Sequence, residues 1–140
     1  MFSEILVPVD ISQPEASHRA LDVAKTNVDE QTRIVLFHVV DPVPALSGIS
    51  EVRSQIADTV TLAKEVLHDL IREEGLPNDT EVRIARGNVH RMIVKCITDP
   101  DSQAIVMASH NPKLSDIVLG SVAAQVVKHA TCSVMVVRHH

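Results

Sequence analysis

Short apolar runs alternating with helix-period segments constrain this chain more than any other feature. Ile5–Val9, Ile34–Val40, Ala104–Met107 and Val134–Val137 are near-continuous stretches of aliphatic and β-branched residues. Runs of that kind predict central strands of a parallel sheet, covered on both faces. Thr80–Arg86 reads differently, because Val82 and Ile84 alternate with Glu81, Arg83 and Ala85. A half-polar strand belongs at a sheet edge.

Four helical patterns lie between these strands. The first opens at Ser12-Gln13-Pro14-Glu15, which reads as a capping box with proline in the first turn, and then lines one face with Ala16, Ala20, Leu21 and Ala24. The second is long. Its apolar positions Val52, Ile56, Val60, Ala63, Leu67, Leu70 and Ile71 step by three or four until Gly75 and Pro77 stop it. The third carries Val89, Ile93 and Ile97 on one stripe beside Asn88, and the fourth repeats Val122, Val126 and Ala130 just after Gly120-Ser121. Residues Asp41–Ser50, rich in Pro, Gly and Ser, form the one sizeable loop after a strand. The order βαβαβαβαβ predicts an α/β three-layer sandwich, doubly wound around a five-stranded parallel sheet with right-handed crossovers. At 140 residues the chain fits one domain. That domain is expected over residues 1–138, with His139-His140 set aside as the stub of a purification tag.

Composition narrows the function. The chain has two phenylalanines, Phe2 and Phe37, and neither Trp nor Tyr. Aromatic stacking of a flavin or of single-stranded nucleic acid is therefore not on offer. A net charge of -5 supplies no general attraction to nucleic acid or anionic membranes. Cys96 and Cys132 lack a CxxC or zinc spacing and read as buried small hydrophobes in a reducing compartment. No basic segment or long apolar stretch precedes the first strand, so neither a signal peptide nor a membrane span is expected, and the cytoplasm is.

In open parallel sheets, ligands bind beyond the carboxyl ends of the strands, where connections diverge. Asp10, just past the first strand, can accept bonds from ribose hydroxyls or hold magnesium through water; it can equally be a turn aspartate bonding its own backbone. The segment Ala108-Ser109-His110-Asn111-Pro112-Lys113, followed by Leu119-Gly120-Ser121-Val122 at a helix start, offers a phosphate site. Gly120 permits close approach, Ser121 brings a hydroxyl, the first helical N–H groups point outward, and Lys113 supplies a counter-charge. A capped helix after a surface loop would have the same sequence. The eight histidines are scattered without an HxxxH spacing, so no metal site is expected. Walker, GxGxxG, GxSxG and CxxC motifs are missing, and no catalytic residues stand out.

The chain resembles the universal stress protein family along its whole length. The residues that carry the likeness are Ile5-Leu6-Val7-Pro8-Val9-Asp10, His38-Val39-Val40-Asp41, Gly87, Ile105-Val106-Met107-Ala108-Ser109-His110 through Leu119-Gly120-Ser121-Val122, and His129-Ala130-Thr131-Cys132-Ser133-Val134-Met135-Val136-Val137. The resemblance implies an adenine nucleotide alpha hydrolase-like fold with strand order 3-2-1-4-5. It also implies binding of ATP, with Mg2+ as its companion ion. Adenine would sit near Pro8, Val9 and Val40, held by backbone bonds, and ribose near Asp10, Met107 and Ala108. Phosphates would lie near Ser109, His110, Lys113, Gly120, Ser121 and Val122.

Nucleotide-binding members carry G-x2-G-x9-G-[S/T], and this chain departs from it. Ala108 and Asn111 stand where the first two glycines would be, and eight residues rather than nine separate Asn111 from Gly120. The loop looks like the family branch with Ser-His-x-Pro at this place. Asn111 tolerates left-handed φ better than most residues, whereas Pro112 removes one N–H from the loop.

Two readings follow: an ATP-holding stress-response module with at most slow hydrolysis, in which Asp10 and His110 are the candidate bases, or a member that has lost nucleotide and works by protein contacts. Gly120-Ser121 favours the first. A phosphoacceptor receiver domain would need an aspartate after the third strand, where Arg86-Gly87 stands. Val134–Val137 is apolar yet ends the chain, and a terminal strand is often an uncovered edge. The resemblance implies a homodimer through this last strand, extending to a tetramer.

Overall fold

The computed structural model describes residues 2–40, 49–109 and 119–138, and for residues 49–56 the helical backbone only. Its elements are β1 (Glu4–Pro8), a 3-10 turn (Pro14–Ser17) leading into α1 (His18–Thr26), β2 (Arg33–Val40), α2 (Ile49–Glu73), β3 (Glu81–Arg86), α3 (Val89–Lys95), β4 (Gln103–Ala108), α4 (Ser121–His129) and β5 (Ser133–Val137). The strands form one parallel sheet in the order β3-β2-β1-β4-β5. The expected fold class and strand order are both observed.

Strand alternation divides the aliphatic residues between two cores. Ile5, Val7, Val9, Ile34, Leu36 and Val106 face Ala20, Leu21 and Ala24 of α1 and Leu67, Leu70 and Ile71 of α2. Leu6, Val35, Phe37, Ile105 and Met107 face Ile93 of α3 and Ala123 and Val126 of α4. These are the two outer layers of the sandwich. Each fully buried side chain of this size contributes roughly 1.5–3 kcal/mol, so the strength of the fold lies in β1, β2 and β4, buried on both faces.

Local signals fix the helix ends. Asn88 Oδ1 accepts from Arg91 N at 3.2 Å and caps α3. Gly75 takes φ +67, and with Gly75 N donating to Arg72 O and Leu76 N to Ile71 O it closes α2 in a Schellman turn. Buried Leu76 then pins that end to the core.

Some expectations are corrected. Ser12 does not cap the first helix; Gln13 precedes the 3-10 turn, with no side-chain bond to it. The hydroxyl of Ser12 is drawn instead to the nearer carboxylate of Asp10. Of the two readings of Val134–Val137, central from its apolar run and edge from its place at the end of the chain and in the expected strand order, the edge holds. β5 is a sheet edge, and Met135 is 46% exposed. Thr80–Arg86 is the other edge, as its alternation predicts. Cys96 and Cys132 are free and half-buried rather than buried. The predicted loop Asp41–Ser50 lies largely outside the described residues, and α2 already begins at Ile49.

Candidate functional site

The sheet sets the site before any side chain does. The chain leaves β1 for α1 on one face, while β4 continues to α4 on the other. The connections therefore diverge between the carboxyl ends of β1 and β4, the switch point at which such sheets take ligands. The two strands also part there. Their pairing runs from Glu4↔Gln103 to Leu6↔Ile105 and stops, although β1 continues to Pro8 and β4 to Ala108. Pro8 has no N–H with which to extend it. On their outer sides the same strands stay paired, Pro8 with Phe37 and Ala108 with Val137. A crevice thus opens between two well-anchored strand ends.

The residues after β1 are tightly held. Val9 is buried under α1 and α2, and its N–H donates to Phe37 O at 2.8 Å. Its carbonyl lies 2.9 Å from His38 Nδ1. A carbonyl only accepts, so Nδ1 carries the proton and the ring is fixed as that tautomer. Exposed Asp10 accepts through Oδ1 from Ser12 N at 3.0 Å and from Ser12 Oγ at 2.6 Å. Asp10 thus makes the turn contact raised by its position through Oδ1 alone.

The neighbouring strand ends complete the rim. Val40 is buried, and its carbonyl accepts from Gly87 N at 3.1 Å. Gly87 has φ +141, a conformation that favours glycine, and a Cβ there would lie only 3.1 Å from Met92 Cγ and Sδ. Met107 points into the core beneath α3 and α4, so it reaches a ligand only through its backbone. Ala108 is half-buried.

Ser109 and Gly120 join β4 to α4. Ser109 is 1% exposed, its N–H donates to Val137 O at 2.9 Å, and its carbonyl accepts from Gly120 N at 2.8 Å. That last bond sets the start of α4 beside the end of β4. Gly120 is the N-cap with no side-chain cap bond, and the first intrahelical bond is Ala124 N to Gly120 O at 2.9 Å. The amides of Ser121, Val122 and Ala123 precede that bond, which leaves the positive end of the helix at the crevice. Ser121 is exposed there, whereas Val122 packs partly against the core. His110 and Lys113 lie outside the described residues.

The structure therefore gathers Pro8, Val9, Asp10, Val40, Met107, Ala108, Ser109, Gly120, Ser121 and Val122 at one end of the sheet. It adds His38, which sequence reasoning did not single out. The signal was there: His38 is the one polar residue inside the run Ile34–Val40.

Comparison with known proteins agrees with this architecture. Universal stress protein G of Salmonella typhimurium is 28% identical over 142 residues, covering 99% of this chain and 100% of that protein. The solved structure of MJ0577, a universal stress protein of Methanocaldococcus jannaschii, superposes with a TM-score of 0.78 at 29% identity, covering 100% of this chain and 98% of that one. Universal stress protein UspA from Lactobacillus plantarum gives 0.74 at 25% identity, with 98% of each chain covered. Two more distant neighbours of the same fold are solved in complexes, one with cAMP (TM-score 0.67, 19% identity) and one from Archaeoglobus fulgidus with dAMP (0.63, 21%). The family model for universal stress proteins matches residues 1–138. The chain belongs to the universal stress protein family.

Proposed function

We propose that this protein binds an adenine nucleotide, ATP by preference and with Mg2+, in the crevice between β1 and β4, and acts as a nucleotide-occupied stress-response module rather than a dedicated enzyme. The observation that carries this reading is the parting of β1 and β4 after Leu6↔Ile105, with the start of α4 held beside it by the Ser109–Gly120 bond. An open slot suits a flat base, and a helix start suits phosphates. The neighbours in complex with cAMP and with dAMP support the nucleotide class through their shared fold.

Two backbone groups near the expected base already have partners. The Val9 N–H is already committed to Phe37, and the Val40 carbonyl to Gly87. Adenine would lie near Pro8, Val9 and Val40, held by backbone bonds. Ribose lies against Asp10, with Met107 and Ala108 offering backbone only. Phosphates would lie near Ser109, Ser121 and the first amides of α4, with His110 and Lys113, outside the described residues, as the further candidates. Magnesium would offset the charge of the phosphates, and hydrolysis would be slow at most.

A contact-only member is the second reading. Its support is Ala108 and Asn111 at positions that glycine holds in the family pattern. The β5 edge, with Met135 exposed, supports homodimerisation through that strand in either case, and the cytoplasm is the proposed location. Calorimetric titration of nucleotide-stripped protein with ATP and magnesium separates the two. Saturable binding that is lost in Gly120→Val supports the nucleotide module. Absence of heat in folded, stripped protein supports the contact-only reading.

A further inference from the structure

We propose that Ser12 is a positioning residue for the sugar of a bound nucleotide: it clamps one oxygen of the Asp10 carboxylate and leaves the other to accept from the ribose hydroxyls. This role rests on the nucleotide-binding reading and adds to it a residue and a sugar preference.

The clamp is built by the turn that follows β1. Asp10 Oδ1 accepts twice from Ser12, from its backbone N–H at 3.0 Å and from its hydroxyl at 2.6 Å. Gln13 N donates to Asp10 O at 3.0 Å and closes the turn behind them. Both ends of this segment are anchored. Val9 before it is buried and bonded to Phe37, and Pro14–Ser17 after it leads into α1 with Ser17 buried. Asp10 and Ser12 themselves are exposed.

The hydroxyl is the part that matters. The terminal torsion of an aspartate is broad and two-fold, so a carboxylate held by one backbone N–H turns easily. The bond from Ser12 Oγ has the short length of a charge-assisted O–H···O⁻ contact and opposes that rotation. Among the described residues Asp10 Oδ2 has no hydrogen-bond partner. An ionised carboxylate only accepts, so Oδ2 suits a donor. Ribose hydroxyls are donors, and a carboxylate beside the crevice of a doubly wound sheet takes them in this way. Phosphates are repelled by the same charge, which leaves the sugar as the part of a nucleotide that fits here.

The test is calorimetric titration of the nucleotide-stripped full chain with ATP, 2′-deoxy-ATP and 3′-deoxy-ATP, each with magnesium. Wild type is compared with Ser12→Ala and Ser12→Thr, all checked first for an unchanged melting temperature. Wild type is predicted to prefer ATP over at least one deoxy analogue by about tenfold, the worth of a hydrogen bond to a charged group. Ser12→Ala keeps the backbone bond and loses the hydroxyl, so that preference should shrink to within about twofold through weaker binding of ATP alone. Ser12→Thr keeps the hydroxyl and should restore it. A residue that merely supports the turn would weaken all three nucleotides alike, and that result would overturn the proposal. Equal affinities in wild type, or an undiminished preference in Ser12→Ala, would also overturn it while leaving the nucleotide reading intact. Wild type that binds none of the three would remove both.

Discussion

His38 holds the carbonyl of Val9 through its Nδ1 at 2.9 Å, tying the residue after β1 to the second-last turn of the pleat in β2. This contact braces the chain where it leaves β1, beside the crevice. A hydrogen bond of this kind is worth about 1 kcal/mol, and the carbonyl left behind adds a desolvation cost of about 1–3 kcal/mol if water does not reach it. His38→Ala is expected to lower unfolding free energy by about 1–3 kcal/mol in a denaturant titration, and to weaken nucleotide binding with it. Unchanged stability would mean that the contact is incidental.

At the opposite end of the sheet, Gln103 organises three partners. Its Nε2 donates to Glu4 Oε1 at 2.8 Å, and its Oε1 accepts from Thr98 N at 2.8 Å and Asp99 N at 2.7 Å. With bonds worth about 1 kcal/mol each, Gln103→Ala should cost about 2–4 kcal/mol. Because this network is remote from the strand carboxyl ends, nucleotide affinity in the folded variant should stay within about twofold of wild type. Thermal and calorimetric data on one preparation check both.

The two described glycines with positive φ should separate cleanly. A Cβ at Gly75, φ +67, meets nothing within 4 Å, so Gly75→Ala pays only the left-handed backbone cost of about 1–2 kcal/mol. A Cβ at Gly87, φ +141, would lie 3.1 Å from both Cγ and Sδ of Met92. Strain in that region is of order 1–3 kcal/mol before the Met92 contact is added. Gly87→Ala is therefore predicted to be the more destabilising of the two, and melting temperatures in the reverse order would contradict this.

Asp29 gives stability a pH dependence of known sign. A backbone bond from Gln31 N, aided by the Thr32 hydroxyl, holds its carboxyl below the ordinary 3.8. A lowered folded-state value means the contribution is present above 3.8 and is lost as pH falls through the folded value. Asp29→Asn should thus be less stable than wild type near neutrality, with the gap closing below pH 3.8. Parallel denaturant curves from pH 6 down to about pH 2.5 measure it.

Met135, exposed on the β5 edge, sits where a second copy would pair. Met135→Asp places a charge on that edge and is predicted to shift sedimentation from dimer to monomer without changing secondary structure. An oligomer of unchanged size would remove β5 from the interface.

Most of the fold could be read from the chain, because strands buried on both faces announce themselves as apolar runs. Ile5–Val9 and Ile34–Val40 are found within one residue of their expected bounds. Position within the sheet was legible only where polarity marked it. Alternation betrayed β3 as an edge, whereas Val134–Val137 is apolar throughout and composition alone points to the centre; only its place as the last strand pointed to the rim where its pairing leaves it. The local competition between Ser12 as a cap and Ser12 as a partner for Asp10 could not be decided from spacing, since both contacts are two or three residues long. The bonds from His38 to Val9 and from Gly120 to Ser109 join distant segments; the polar residue in an apolar run marked His38 but not its partner, and nothing in the spacing marked the second.

The central claim is a nucleotide at the carboxyl end of β1 and β4, and amide chemical-shift mapping tests it most directly. Nitrogen-15-labelled, nucleotide-stripped protein is titrated with ATP and magnesium. The account predicts saturable shifts at Val9, Asp10, Val40, Ser109, Gly120 and Ser121, with Glu4, Gln103 and Ser133 at the amino end unmoved. Shifts confined to the amino end, or none at millimolar ATP, would contradict it.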